Sequence, residues 1–282
     1  MPALPSHARK RLGLRLKTLR TEAGLTVDNV VETLGWGRTK LIRIESAKVN
    51  LNRHDLHRLG NMYDASPEEL QILEELVEET RATHWWQAEP YRGVLTEALA
   101  DFIALESTAS RIAVAETGVV PGLLQSPEYA AAVFASQPHV PDPDLAAVRV
   151  ELRMRRQRIL VEENVVVSAA IGEGLLYAAT GGKDVLRGQI RRLIDLCELP
   201  NVDLRIIPFD AERAILSGGI TLFDFPDEHS TSVVYSEYEG SMLARDSDLD
   251  IRRFRRLLDH LTSQSLSSED TRKMLQTRLE SV

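Results

Sequence analysis

Cysteine is almost absent: Cys197 is the one cysteine in 282 residues. No intramolecular disulfide can form, which fits a reducing cytoplasm. Cys197 sits in the apolar stretch LIDLCEL and reads as a small core residue rather than a nucleophile. Long apolar runs are absent too. Nowhere do about 18 apolar residues follow one another, so no membrane span is expected. The opening MPALPSHARKRLG has no apolar run suited to a signal peptide, and a cytoplasmic location is expected.

Catalytic signatures are missing as well. The chain has no HExxH, Walker loop or GxSxG pattern. Gly172-Glu173-Gly174 and Gly181-Gly182 lack the strand–GxGxxG–helix context of a dinucleotide site and read as turns. His54 and His57, at i and i+3 with Asp55 between them, can chelate a metal, but no third ligand is in view. Glu237 and Glu239 share a strand face; without a base or nucleophile nearby they read as exposed acids. No enzyme, cofactor or metal is expected.

What the chain does have is an uneven distribution of charge. The formal net charge is −8, which by itself argues against a nucleic-acid partner. Residues 1–60, however, hold 12 Lys/Arg against 5 Asp/Glu, a balance of +7, while the remainder holds 22 against 37, or −15. A basic head on an acidic body points to nucleic acid at the head.

Within that head, LTVDNVVETLGWGRTKLIRIESA (25–47) carries the sharpest pattern. Val27, Val30, Val31 and Leu34 fall on one helical face, and Gly35 breaks it as a residue free to take positive φ. After Trp36-Gly37 a second helix begins, with Leu41, Ile42 and Ile44 apolar and Arg38, Lys40 and Arg43 basic. Two short helices joined through a glycine turn, the second with a basic outer face, form a helix-turn-helix signature.

Other helices surround this pair. Residues 7–23 carry an apolar stripe (Leu12, Leu16, Leu19, Ala23) flanked by Arg9, Lys10, Arg11, Arg15, Lys17 and Arg20, cations suited to phosphates. Thr26 can cap the second helix, although Asn29 in place of Glu leaves its capping box incomplete. Residues 52–63 make a fourth helix, and Ser66-Pro67-Glu68-Glu69 starts a fifth that runs to about Arg81.

The order of these helices, with GWGRTKLIRIESAK as turn and third helix, resembles the Xre/Cro-type helix-turn-helix family over residues 9–80. The resemblance implies that Arg38, Thr39, Lys40 and Arg43 meet the major groove, Arg38 as a bidentate guanine reader. Gly37 and Ser46 fall near positions that approach phosphate, and Arg15 joins them as a DNA contact from the first helix. Two residues depart from the family pattern. Val27 stands where a polar, phosphate-contacting Gln is usual, and Val31 replaces an Ala, which widens the expected crossing of helices two and three.

The remainder changes character. His84-Trp85-Trp86 and Tyr91 form an aromatic cluster at the composition shift and read as domain-joining core. Residues 94–116 have a helical pattern, Ser126-Pro127-Glu128 starts another helix, and 142–162 form a long one. The RMRRQR run within the latter reads as a solvated or interface face. Strands are expected at Val165–Ile171, Val202–Pro208, ITLFDF and Ser232–Tyr238, with helices at 183–198, 246–264 and from Ser268. The fold expected is therefore a mainly α five-helix domain over 1–82. It is followed by an α+β domain over 83–282 with a small, largely antiparallel sheet.

WW at 85–86, PGLLQSPEY at 121–129, RRQRIL at 155–160 and LCELPNVDLRIIPF at 196–209 resemble a C-terminal domain without assigned biochemistry. It occurs in an actinobacterial class of Xre-type regulators. That resemblance implies a developmental or antibiotic-regulating transcription factor working with a small companion protein. The partners expected are double-stranded DNA through its major groove, a second copy of the chain in a homodimer, and such a companion. Two alternatives stay open: an antitoxin-like interaction module, and a ligand sensor whose pocket is lined by Trp85, Trp86, Tyr235 and Tyr238.

Overall fold

The computed structural model describes residues 7–82, 84–136, 143–162, 165–212, 214, 216, 218–226, 231–238 and 241–282. The chain divides into two compact units, Met1–Gln87 and Ala88–Val282.

The first unit contains α1 (His7–Glu22), α2 (Val27–Leu34), α3 (Arg38–Glu45), α4 (Arg53–Met62) and α5 (Pro67–Glu79). Local chemistry sets the boundaries. The Thr26 hydroxyl accepts from Asn29 N while the Asn29 side-chain oxygen accepts from Thr26 N, 3.0 Å away. The capping box that lacked a Glu is thus completed by an Asn, whose shorter carbonyl arm still reaches the cap. Asn52 and Ser66 cap α4 and α5, the latter with Pro67 in its first turn. The apolar stripes close on one core containing Leu12, Leu16, Val30, Leu41, Leu56 and Leu73.

The second unit is built on a six-stranded sheet: β1 (Arg111–Glu116), β2 (Val166–Gly172), β3 (Val202–Ile207), β4 (Gly219–Asp224), β5 (Val233–Tyr238) and β6 (Ser241–Arg245). Its order is β3-β2-β1-β4-β5-β6. Strands β1, β2 and β3 run parallel, while β4, β5 and β6 add antiparallel pairings to the free side of β1. The small, largely antiparallel sheet expected from sequence is therefore corrected to a larger mixed one. The error lay in Arg111–Glu116: the expected helix over 94–116 ends at Thr108 (α6, Glu97–Thr108), and RIAVAE turns into the central strand. Val114 and Ala115 continue the apolar character of α6, and that masks the change of period.

Parallel neighbours need helical crossovers. The β1–β2 connection carries α7 (Pro127–Ala135), α8 (Pro143–Arg156) and α9 (Ile159–Glu162); the β2–β3 connection carries α10 (Lys183–Leu196). α11 (Asp248–Ser263) and α12 (Ser268–Ser281) close the chain. One sheet face packs Ile112, Val167, Leu204 and Phe223 with α6, α7, α10 and α12; the other packs Ala115, Ile220 and Val234 beneath Leu258 and Leu261 of α11.

The basic run is divided: Arg155 and Arg158 stay exposed, as expected of a solvated face, while Arg156 turns inward. Arg156 is 8% exposed and donates from Nε and Nη2 to both oxygens of Glu106, at 2.8 Å each. Burial alone lowers its pKa, and Glu106 more than restores the charge. Next to it, Gln157 Nε2 donates to the carbonyls of Gly122 and Gln125, and Gln189 bridges Ser126 N and Leu124 O. Buried amides thus clamp the connection that follows β1 onto α8 and α10. Removing the carboxylate in Glu106→Ala leaves a buried guanidinium unpaired, and a loss of about 3–5 kcal/mol in urea denaturation is expected. Glu106→Gln, which keeps one acceptor, is expected to lose less.

Candidate nucleic-acid interface

The candidate interface is the outer face of α3, and three devices hold that helix. Gly35 closes α2 in the left-handed region (φ 65°, ψ 34°), which turns the chain within three residues into Gly37, the N-cap of α3. Leu41 and Ile44 then enter the core. At the C-terminal end, Arg20 of α1 donates Nε to Glu45 at 2.6 Å and Nη1 to the Leu25 carbonyl at 2.7 Å. The hydrogen bond to Glu45 raises the Arg20 pKa against the effect of burial. α1 crosses so closely here that a Cβ on Gly13 would stand 2.7 Å from the Glu45 carbonyl oxygen. Only glycine fits the crossing.

With its back fixed in this way, α3 presents Arg38, Thr39, Ile42, Arg43 and Ser46 to solvent. These positions share one side of the helix, since i, i+4 and i+7 coincide. Arg38 is ion-paired with Asp28 of α2, both largely exposed. The Ser46 hydroxyl is turned onto its own helix, donating to the Ile42 carbonyl at 2.6 Å. Lys40 lies on the flank: Nζ donates to Asp55 at 2.7 Å and stands 3.8 Å above the Trp36 ring. Of the expected readers, then, Arg38, Thr39 and Arg43 come together on the face, and Lys40 binds α3 to α4.

Arg15 is placed quite differently from expectation. It is 8% exposed and binds Glu69 of α5 through both Nε and Nη2. The charge expected to face phosphate is neutralised inside the unit, because its place on α1 faces α5. Lys17 of the same helix remains exposed. His57 pairs with Glu74 at 2.7 Å. Val27 and Val31, the two departures from the family pattern, are half-buried against the core.

Residues 11–73 match a helix-turn-helix domain, which marks the first unit as the DNA-binding part of a regulator. Residues 99–277 match a domain of unknown function, DUF5753. The chain belongs to the DUF5753 family. No curated protein and no solved structure matches it. The DUF5753 match starts in α6, ends in α12 and takes in all six strands. Among the described residues, no helix is long and apolar enough to cross a membrane.

Within the DUF5753 domain, Tyr235 is 4% exposed and packs edge-on against Phe102 and Phe223. It packs as core, away from any aromatic pocket of the ligand-sensor alternative; the side chain of Tyr238 lies outside the described residues. In the first unit, Trp86 is buried and stacked on His84 at 4.4 Å, with Trp85 edge-on to it.

Sequence reasoning missed one member of the α3 face. Ile42, apolar like Leu41 and Ile44, is 45% exposed and was not among the expected DNA contacts. Its i+4 spacing from Arg38, out of step with Leu41 and Ile44, was the available signal. The α1–α3 crossing carries its own test. Gly13→Ala forces a methyl against backbone, and a loss of about 1–3 kcal/mol in chemical denaturation is expected. A fully stable variant would show that the crossing tolerates a side chain.

Proposed function

We propose that this protein is a cytoplasmic, non-enzymatic, sequence-specific DNA-binding regulator of the Xre subtype that acts as a homodimer. The observation that carries the reading is the solvent face of α3 on a helix-turn-helix unit: two arginines, a threonine and an isoleucine with no core to face. Arg38 donates to a guanine edge, Thr39 and Ile42 meet thymine methyls, and Arg43 takes a phosphate or a base. One helix of this length reads only a few base pairs, so two copies on half-sites about one helical turn apart supply the specificity. The DUF5753 domain is proposed to receive the signal, from a small molecule or a companion protein.

The test is binding to the DNA upstream of the protein's own coding region, titrated with salt. Arg38→Ala is expected to cost roughly 1–3 kcal/mol on the specific site and little on random DNA. Arg43→Ala, if it loses a phosphate contact, lowers the salt slope by about one and weakens all sequences alike. Equal binding to specific and random DNA at low salt would overturn the reading.

One observation favours a second reading, an antitoxin-like module that works through a companion protein. Val27, half-buried at the start of α2, offers phosphate no polar side chain where this family is expected to have one. Under that reading the companion, and not DNA, raises the melting temperature of the purified protein.

A further inference from the structure

Three adjacent strands of the DUF5753 domain bring two carboxylates to either side of a residue with no side chain. Glu237 of β5 pairs in register with Gly219 of β4. The β1–β4 register ends at Ala115 opposite Ile220, and its next step sets Glu116 beside Gly219. All three positions point to the sheet face that carries Ile112, Phe223 and Tyr235. Strands two apart lie roughly 9–10 Å from each other, so Glu116 and Glu237 flank a gap floored by glycine backbone. A Cβ on Gly219 would stand 2.0 Å from Glu116 Oε2 and 3.8 Å from the Glu237 Cβ. A side chain there would collide with the Glu116 carboxylate, which leans over the glycine.

Above the gap is a cavity of about 230 Å³, just below the usual range of ligand pockets. Phe102, Val114, Val133 and Met242 give it apolar walls, and Glu116, Glu237 and Arg153 line it with charge. Glu116 is fixed in position, because its Oε1 accepts from the backbone N–H groups of Thr117 and Gly118 at 2.9 Å each. Its Oε2 is the oxygen turned toward Gly219. Glu237 stands at the mouth, reached by solvent yet crowded by protein; that crowding, then the nearby Glu116 carboxylate, raises its pKa. It makes no hydrogen bond among the described residues.

Arg153 forms the opposite wall. Its Nη1 donates to Gln125 at 2.7 Å and its guanidinium lies 4.2 Å from the centre of the Phe134 ring. Its Nε is buried without a hydrogen-bond partner among the described residues. Burial, then the adjacent Arg156, pulls its pKa down to about 9, so it stays charged at neutral pH. Arg156 is already matched by Glu106, which leaves the cavity with two carboxylates against one guanidinium. An excess negative charge, an unused donor and apolar walls describe a ligand by its chemistry.

From this juxtaposition we infer that the cavity of the DUF5753 domain binds a small amphiphilic organic cation. Its ammonium or guanidinium group sits over Gly219 between Glu116 and Glu237, its apolar stem lies on Phe102 and Val133, and an oxygen acceptor at its far end takes the Arg153 Nε–H. The inference deepens the reading of this domain as a signal receiver, but the site itself is tested without DNA.

The probes are ε-aminocaproate, hexylamine and caproate, titrated calorimetrically into the full-length protein. ε-Aminocaproate is expected to bind at least about tenfold more tightly than caproate, and Glu237→Gln to abolish that preference. Leu99→Trp, which fills the cavity from α6, removes binding while leaving the carboxylates in place, and so stands in should Glu237→Gln fold poorly. Caproate binding as tightly as ε-aminocaproate, or no binding of either amine at millimolar concentration, overturns the site. With ε-aminocaproate bound, a shift in DNA affinity supports the signalling role. An unchanged affinity overturns that role alone, because the calorimetry establishes the site independently.

Discussion

Three arginines, each paired with a carboxylate on another helix of its own unit, fix how the helices within each unit are placed. Arg20 joins α1 to α3 through Glu45, Arg15 joins α1 to α5 through Glu69, and Arg156 joins α8 to α6 through Glu106. A guanidinium taken out of water is costly unless both faces of its fork are met, so each pair fixes the relative placement of two helices to within a hydrogen bond. The α3 face exists because of this. Arg20 and the Gly13 crossing hold the helix from behind, and the residues left over have nowhere to go but solvent.

That same device explains what the linear charge pattern concealed. A balance of +7 over the first 60 residues suggests a uniformly basic surface, yet much of the charge on α1 is spent inside. Partners such as Glu69 lie more than fifty residues away, and no local pattern reveals them. The turn and the third helix were legible because their signals are local: Gly35 needs positive φ, and Leu41 and Ile44 repeat at helical spacing. Ile42 escaped the list of contacts because its apolar character, taken without its helical phase, does not separate it from Leu41 and Ile44. In the second unit β2 to β5 were legible as β-branched or alternating runs, whereas β1 was hidden by the apolar helix before it and β6 was not expected. Its parallel pairing with β2 is a long-range choice that periodicity cannot express.

The candidate ligand site shows the same division. Glu237 was noticed in the sequence, but beside Glu239, which lies outside the described residues. The carboxylate it meets across the sheet is Glu116, on a strand that the sequence reading took for helix. Gly219 carries no signal of its own in the sequence, and its lack of a side chain makes room for the Glu116 carboxylate. Sites assembled across a mixed sheet are legible only after the strand order is known, since that order makes neighbours of residues 116, 219 and 237.

The contact between Arg38 and Asp28 bears on how such a protein searches a genome. An arginine already held by a carboxylate of its own unit must release it before it can grip any phosphate, so its hold on arbitrary sequence is weakened. A base edge that takes both arms of the guanidinium compensates for that release, whereas a passing phosphate does so poorly. Under the proposed reading of Arg38, the internal rival shortens the dwell on every wrong site while sparing the right one.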